Sequence, residues 1–148
     1  MIDRAYIGVV SEPRVIDVEK GQLKFFARAT GTRDPIYFDE AAAGRAGHRA
    51  LPAPPTFLFS LGLGAPAKRG DLFTDMCIDV ARILHGEQSF RYHQPIYAGD
   101  RITLVTQTVD IFEKKGGALE FVVQETRATN QHGELCASMR IVTVVRNG

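Results

Sequence analysis

The stretch PPTFLFSLGLGAPA, Pro54 to Ala67, decides the fold. Its paired prolines suit a helix entry, because a first-turn proline gives up no helical hydrogen bond. From Phe57 to Leu63 the residues are apolar nearly all round, interrupted only by Ser60 and Gly62. A helix apolar on every face has to be surrounded by protein, not laid on a surface. The run is well short of the roughly 20 apolar residues that span a bilayer. It therefore predicts a buried helix from about Pro55 to Ala65, ended by Pro66. Gly62 and Gly64, poor helix formers, point to close approach of another backbone.

The segments that follow can supply the surroundings. ILHGEQSFRYH (83–93) leads to a turn at QPIYAGD (94–100), and RITLVTQTVDIF (101–112) and LEFVVQETRAT (119–129) flank EKKGG, a hairpin signal. NQHG makes another turn before a β-branched strand, ELCASMRIVTVVR (134–146). On the other side of the central stretch the pattern is helical. Asp17 reads as the N-cap of VEKGQLKFFARAT and Gly31 as its C′ stop, with Leu23, Phe26, Ala27 and Thr30 on one stripe. A shorter helix is expected over EAAAGRAG, capped by Asp39 and ended near Gly47. A helical first half and a stranded second half signal an α+β protein. One helix enclosed by a long, curling antiparallel sheet is the hot-dog arrangement, and a single such domain fits residues 1–148. Its sheet leaves an edge open, which predicts edge-to-edge pairing into a dimer.

Composition removes several classes of function. A formal net charge of +1 with 24% charged and 45% hydrophobic residues gives no footprint for nucleic acid or an anionic membrane. The opening MIDRAYIG mixes acid and base and has no apolar core, so it does not read as a secretory signal. Cys77 and Cys136 lack C-x-x-C or zinc spacing, and His48, His85, His93 and His132 form no ligand pair. Two reduced thiols, no metal and a cytoplasmic location are the expectation.

The loop GTRDPIYFDEAAAG, Gly31 to Gly44, has the look of an active-site loop feeding a short helix, yet carries Tyr37 where acid–base chemistry would want histidine. Together with LPAPPTF (Leu51–Phe57) and LHGEQSFRYHQPIYAGD (Leu84–Asp100), it carries a family likeness. From about Asp17 to Val145 the chain resembles the MaoC-like hydratases and dehydratases, in particular their N-terminal-domain branch, which acts on acyl thioesters. It is also similar to the non-catalytic chain of the heterodimeric (3R)-hydroxyacyl dehydratases of mycolic-acid synthesis. The resemblance implies hydration of a trans-2-enoyl thioester or dehydration of the (R)-3-hydroxyacyl form, without a cofactor. In that family an Asp/His pair in the pattern D-x-N-P-x-H handles the protons. A backbone N–H at the start of the buried helix holds the thioester oxygen.

Set on this sequence, the pattern falls on Thr32 to Tyr37, and only Pro35 matches. Thr32 stands at the Asp position, Asp34 at the Asn position and Tyr37 at the His position. Threonine cannot act as a carboxylate base, and a phenol near pKa 10 needs strong perturbation to replace an imidazole near 6.5. Asp34 and His85 are the candidate substitutes, with His93 a further histidine. Asp34 can equally open the turn at Pro35, and His85 can be a strand-end residue. Tyr37, Pro55, Thr56, Phe57, His85 and Gly86 are the candidate substrate-binding residues. His48 reads as a loop residue suited to a helix C-terminus, His132 as solvated and Cys136 as packed. Three functions stay open: a subunit paired with a catalytic MaoC-like chain, a homodimeric hydratase using Asp34, and a non-enzymatic module for acyl-CoA or an acyl-carrier thioester. Thioesterase chemistry ranks last, since no acid lies between Thr56 and Pro66.

Overall fold

In a computed structural model of the chain, which describes residues 1–64 and 72–147, five strands form one antiparallel sheet. They are β1 (Arg14–Asp17), β2 (Ile83–Tyr92), β3 (Arg101–Lys114), β4 (Leu119–Thr129) and β5 (Leu135–Arg146), in the order β1-β3-β4-β5-β2. β3 and β4 are joined by the tight turn that EKKGG predicts. Lys115, Gly116 and Gly117 all have φ between 54° and 86°, a region glycine enters at no steric cost. The helices are α1 (Lys20–Ala29), α2 (Glu40–Arg45), α3 (Phe57–Gly64) and α4 (Leu72–Asp75). This is the α+β hot-dog arrangement expected from the central stretch.

α3 lies on one face of the sheet. Phe57, Leu58 and Leu61 pack in one buried cluster with Ile102 and Leu104 of β3, Ala128 of β4, and Ala137 and Met139 of β5. Leu23 of α1 joins them, as its stripe predicts. Burying a side chain of this size stabilises by about 1.5–3 kcal/mol, so this cluster dominates the fold. Arg14 of β1 donates from Nη1 to the Gly62 carbonyl at 3.2 Å, satisfying a carbonyl in the last turn of α3.

Four local expectations are corrected. Asp17 does not cap α1. It closes β1, paired with Arg101 of β3 and bridged to that guanidinium at 3.0 Å, and the helix starts three residues later at Lys20. α3 is not enclosed on every side: Leu63 is 71% exposed, and Phe59 and Ser60 are half-buried. No backbone closes on its glycines. Among the described residues, a Cβ at Gly62 would meet only the Leu104 side chain, at 3.8 Å, and one at Gly64 would meet nothing within 4 Å. The first half also contains a strand, β1, too short for its alternation to stand out. The expected end of the helix at Ala65 and Pro66 lies outside the described residues.

The register divides the helix-bearing face into zones. Leu104 opposite Ala128 belongs to the main cluster. Next come Thr106 opposite Thr126, with hydroxyls 2.8 Å apart, and Thr108 opposite Gln124, whose amide reaches the threonine oxygen at 3.4 Å. Beyond this polar band Ile111 and Val122 form a second, smaller cluster with Met76, packed by Ile2, Tyr6 and Ile78. The N-terminal arm runs beside β3: Gly8 N–H donates to the Thr108 carbonyl, Thr108 N–H to Val9, and Ser11 N–H to Thr106. Ile2 N–H donates to the buried Glu120 carboxylate at 2.6 Å. On one side of the sheet β3 is lined by β1 and, beyond it, by the arm, while β2 forms the opposite edge.

Candidate functional site

The loop after α1 is fixed by its backbone. Gly31 N–H donates to the Arg28 carbonyl and Thr32 N–H to the Ala27 carbonyl, both at 3.0 Å, with Gly31 at φ 74°. These are the paired bonds of a Schellman stop. Asp34 then caps a single 3-10 turn, Pro35–Tyr37, by accepting the Ile36 N–H at 3.1 Å. That turn carries Ile36 and Tyr37 into a cavity of about 410 Å³, whose other walls come from His48, residues 52–55, Leu58 of α3, and residues 92–96 at the end of β2 and beyond it. Apolar groups dominate, and the polar side chains are Tyr37, His48, Tyr92, His93 and Gln94. No carboxylate lines it among the described residues. Burial, and then the nearby Asp34 charge, push the Tyr37 phenol above its ordinary value.

At the entry to α3, Thr56 has a φ of 69°, a left-handed conformation unusual for a β-branched residue. Its N–H donates to the Tyr92 hydroxyl at 2.9 Å. Tyr92 stacks on Phe90, with ring centroids 5.9 Å apart and planes 6° apart. The neighbouring His93 and Gln94 are held by their backbone N–H groups, which both donate to the Cys136 carbonyl. Cys136 itself is buried, and burial, followed by the Asp100 charge, raises its thiol pKa. It is a packing residue, not a nucleophile.

The histidine with the most developed surroundings is His48. Its Nδ1 lies 3.2 Å from the Tyr97 hydroxyl. The Tyr97 ring is covered by the Arg49 guanidinium, 4.4 Å from its centroid. Arg49 pairs in turn with Asp100, which is 1% exposed and also receives the Tyr97 N–H at 2.8 Å and the Gln131 amide at 3.1 Å. Burial alone would raise the Asp100 carboxyl, but the bonds from Arg49, Tyr97 and Gln131 outweigh it and hold it below the ordinary carboxylate value. An ion pair, buried at Asp100 and exposed at Arg49, thus fixes the turn that presents Tyr97 to His48.

The candidates named from sequence are distributed unevenly about this cavity. Tyr37, Pro55 and His93 line it. Thr56 reaches its wall through the bond to Tyr92. Phe57 is 3% exposed and packs edge-on against Phe26 in the core, with centroids 5.4 Å apart. Thr32 and Asp34 are not among the lining residues. His85 and Gly86 lie on β2 outside the cavity. The His85 ring is 5.4 Å from Phe59, and Gly86 sits at a β-bulge where a Cβ would be 2.9 Å from the Val142 carbonyl oxygen. Sequence reasoning missed His48 and Tyr92 as cavity groups, and Tyr97 as the hydroxyl that meets His48 from behind the lining. The available signal was YAGD, a turn whose buried acid needs a cation and so draws in the segment around Arg49.

Comparison with known proteins gives one consistent answer. Residues 5–139 match the family model described as FAS1-like, dehydratase domain region. A UPF0336 protein of Thermobifida fusca is 34% identical over 147 residues, 98% of this chain and 94% of its own. Among solved structures, a C-terminally truncated HadBC (3R-hydroxyacyl-ACP dehydratase) complex from Mycobacterium tuberculosis superposes with a TM-score of 0.79 at 29% identity, covering 94% of this chain and 96% of the other. The ChsH1–ChsH2 complex of the same organism gives 0.74 at 25% identity, over 93% and 89%. A MaoC-like dehydratase shares the fold with a TM-score of 0.84 at 23% identity, over 97% of this chain and 43% of its own.

Proposed function

This chain belongs to the family of FAS1-like dehydratase regions and has the MaoC-like hot-dog fold, and from that premise we propose that it is one subunit of an (R)-specific enoyl-thioester hydratase or 3-hydroxyacyl-thioester dehydratase. A partner hot-dog chain with an intact D-x-N-P-x-H supplies the acid–base pair in the cytoplasm. This chain binds the acyl-CoA or acyl-carrier thioester in its cavity and completes the dimer. The observation that carries the reading is the loop. Thr32 and Tyr37 stand at the two proton-handling positions, Thr32 does not line the cavity, and the Tyr37 phenol is held above its ordinary value. Neither group exchanges a proton readily near neutral pH. The likeness to the HadBC and ChsH1–ChsH2 complexes supports a two-chain assembly. The edge strand β2, with Leu84 half exposed, offers the surface on which a partner's sheet can continue this one.

The test is hydration of crotonyl-CoA by the purified chain alone and after co-expression with a motif-bearing homologue. Turnover only in the pair supports the subunit reading. A second reading, a homodimeric enzyme, is favoured by one observation: His48 is an imidazole on the cavity wall with an orienting hydroxyl. Robust turnover by the chain alone, abolished by His48→Asn, would establish it in place of the first.

A further inference from the structure

At the entry to α3, the amide one would expect to hold a thioester oxygen is already engaged, since Thr56 N–H donates to the Tyr92 hydroxyl at 2.9 Å. A phenol oxygen that accepts a hydrogen bond keeps its own O–H to give, and accepting one strengthens the donation of the other. Two contacts set where that O–H sits: the bond from Thr56 and the parallel stack on Phe90. Thr56 is held at φ 69° in making its bond, a conformation a β-branched residue keeps only when its surroundings enforce it. Tyr92 lines the cavity, and no carboxylate lines it among the described residues to compete for the proton.

We propose that the Tyr92 hydroxyl is the hydrogen-bond donor to the carbonyl oxygen of a bound acyl thioester, standing in for the backbone amide whose N–H it has taken. The inference rests on the reading of the cavity as an acyl-thioester site and adds the group that fixes the reacting carbonyl there. The role is binding and positioning, with no bond made or broken by the phenol.

The experiment uses the full chain and crotonyl-CoA labelled with ¹³C at the thioester carbonyl. Affinity is read by calorimetry and the carbonyl stretch by infrared difference spectroscopy. With the unmodified chain the stretch is expected to move to lower frequency on binding. In Tyr92→Phe that displacement is expected to disappear and affinity to fall roughly tenfold, the loss of one net hydrogen bond. Replacing Tyr92 by 3-fluorotyrosine, a stronger donor, keeps the ring and should lower the frequency further. A purely structural role for Tyr92 would move the melting temperature without moving the stretch. Binding by Tyr92→Phe with full affinity and an unchanged displacement overturns the donor role while leaving the thioester reading intact. Failure of the unmodified chain to bind crotonyl-CoA at all overturns both.

Discussion

Two substitutions in the loop test the proposal that it lacks an acid–base pair of its own. Thr32→Asp combined with Tyr37→His places an imidazole on the cavity wall and, on the same Schellman-stopped loop, a carboxylate long enough to reach toward the cavity that Thr32 does not line. General acid–base catalysis contributes about 10²–10⁴-fold. The double variant alone is therefore expected to hydrate crotonyl-CoA at least about 10²-fold faster than the unmodified chain, in a spectrophotometric assay. Asp100 makes a separate prediction about stability. Its folded pKa is depressed, so its contribution is fully present above the unfolded value of about 3.9 and is lost as pH falls through the folded one. Asp100→Asn is expected to cost about 1–3 kcal/mol in urea denaturation at pH 7, because the buried amide cannot accept the bonds from Arg49, the Tyr97 N–H and Gln131 as the carboxylate does. The variant should also lose less stability than the parent chain between pH 5 and acid.

Among the elements, legibility followed the length of the pattern. β3, β4 and β5 each run for more than ten residues with turn residues at both ends, and their sequence boundaries nearly coincide with the strands. β1 has four residues and was unreadable, because it is a strand only by virtue of pairing with β3. α3 was legible as the centre of the fold from its apolar character, but not the exposure of Leu63, which depends on where the sheet stops. The site was legible only in its local part. The loop and the α3 entry are contiguous runs, whereas His48 meets Tyr97 across 49 residues and Thr56 meets Tyr92 across 36. No periodicity encodes such encounters. Gly86 illustrates the ambiguity of a glycine within a likeness: binding and backbone packing both ask for it. Gly86→Ala forces a Cβ to within 2.9 Å of the Val142 oxygen and is expected to cost about 1–3 kcal/mol. Crotonyl-CoA affinity of the folded variant should stay within about twofold of the parent, since the residue does not line the cavity; a larger loss would return Gly86 to the binding site.

For the whole molecule, the asymmetry of the sheet edges governs assembly. On one side the edge is the four-residue β1 continued by the irregular arm, and on the other it is the ten-residue β2, so association is expected through β2. Sedimentation of the chain alone at micromolar concentration should give a dimer, and Leu84→Lys on the edge strand should shift it toward monomer. The polar band between the two apolar clusters has a different consequence. Hydroxyl and amide pairs such as Thr106–Thr126 and Gln124–Thr108 offer little apolar burial across the band, so the two ends of the sheet are joined mainly by their backbone ladders. The smaller end, with Met76, Ile111 and Val122 under the arm, should open as a separate cooperative unit before the larger one. Native-state amide exchange is then expected to resolve two opening free energies. The lower would be shared by the amides of Gly8, Ile111 and Val122, and the higher by those of Leu104, Ala128 and Met139. Deleting the arm should collapse protection at the first group and leave the second nearly untouched, so that one sheet reports two thresholds of motion.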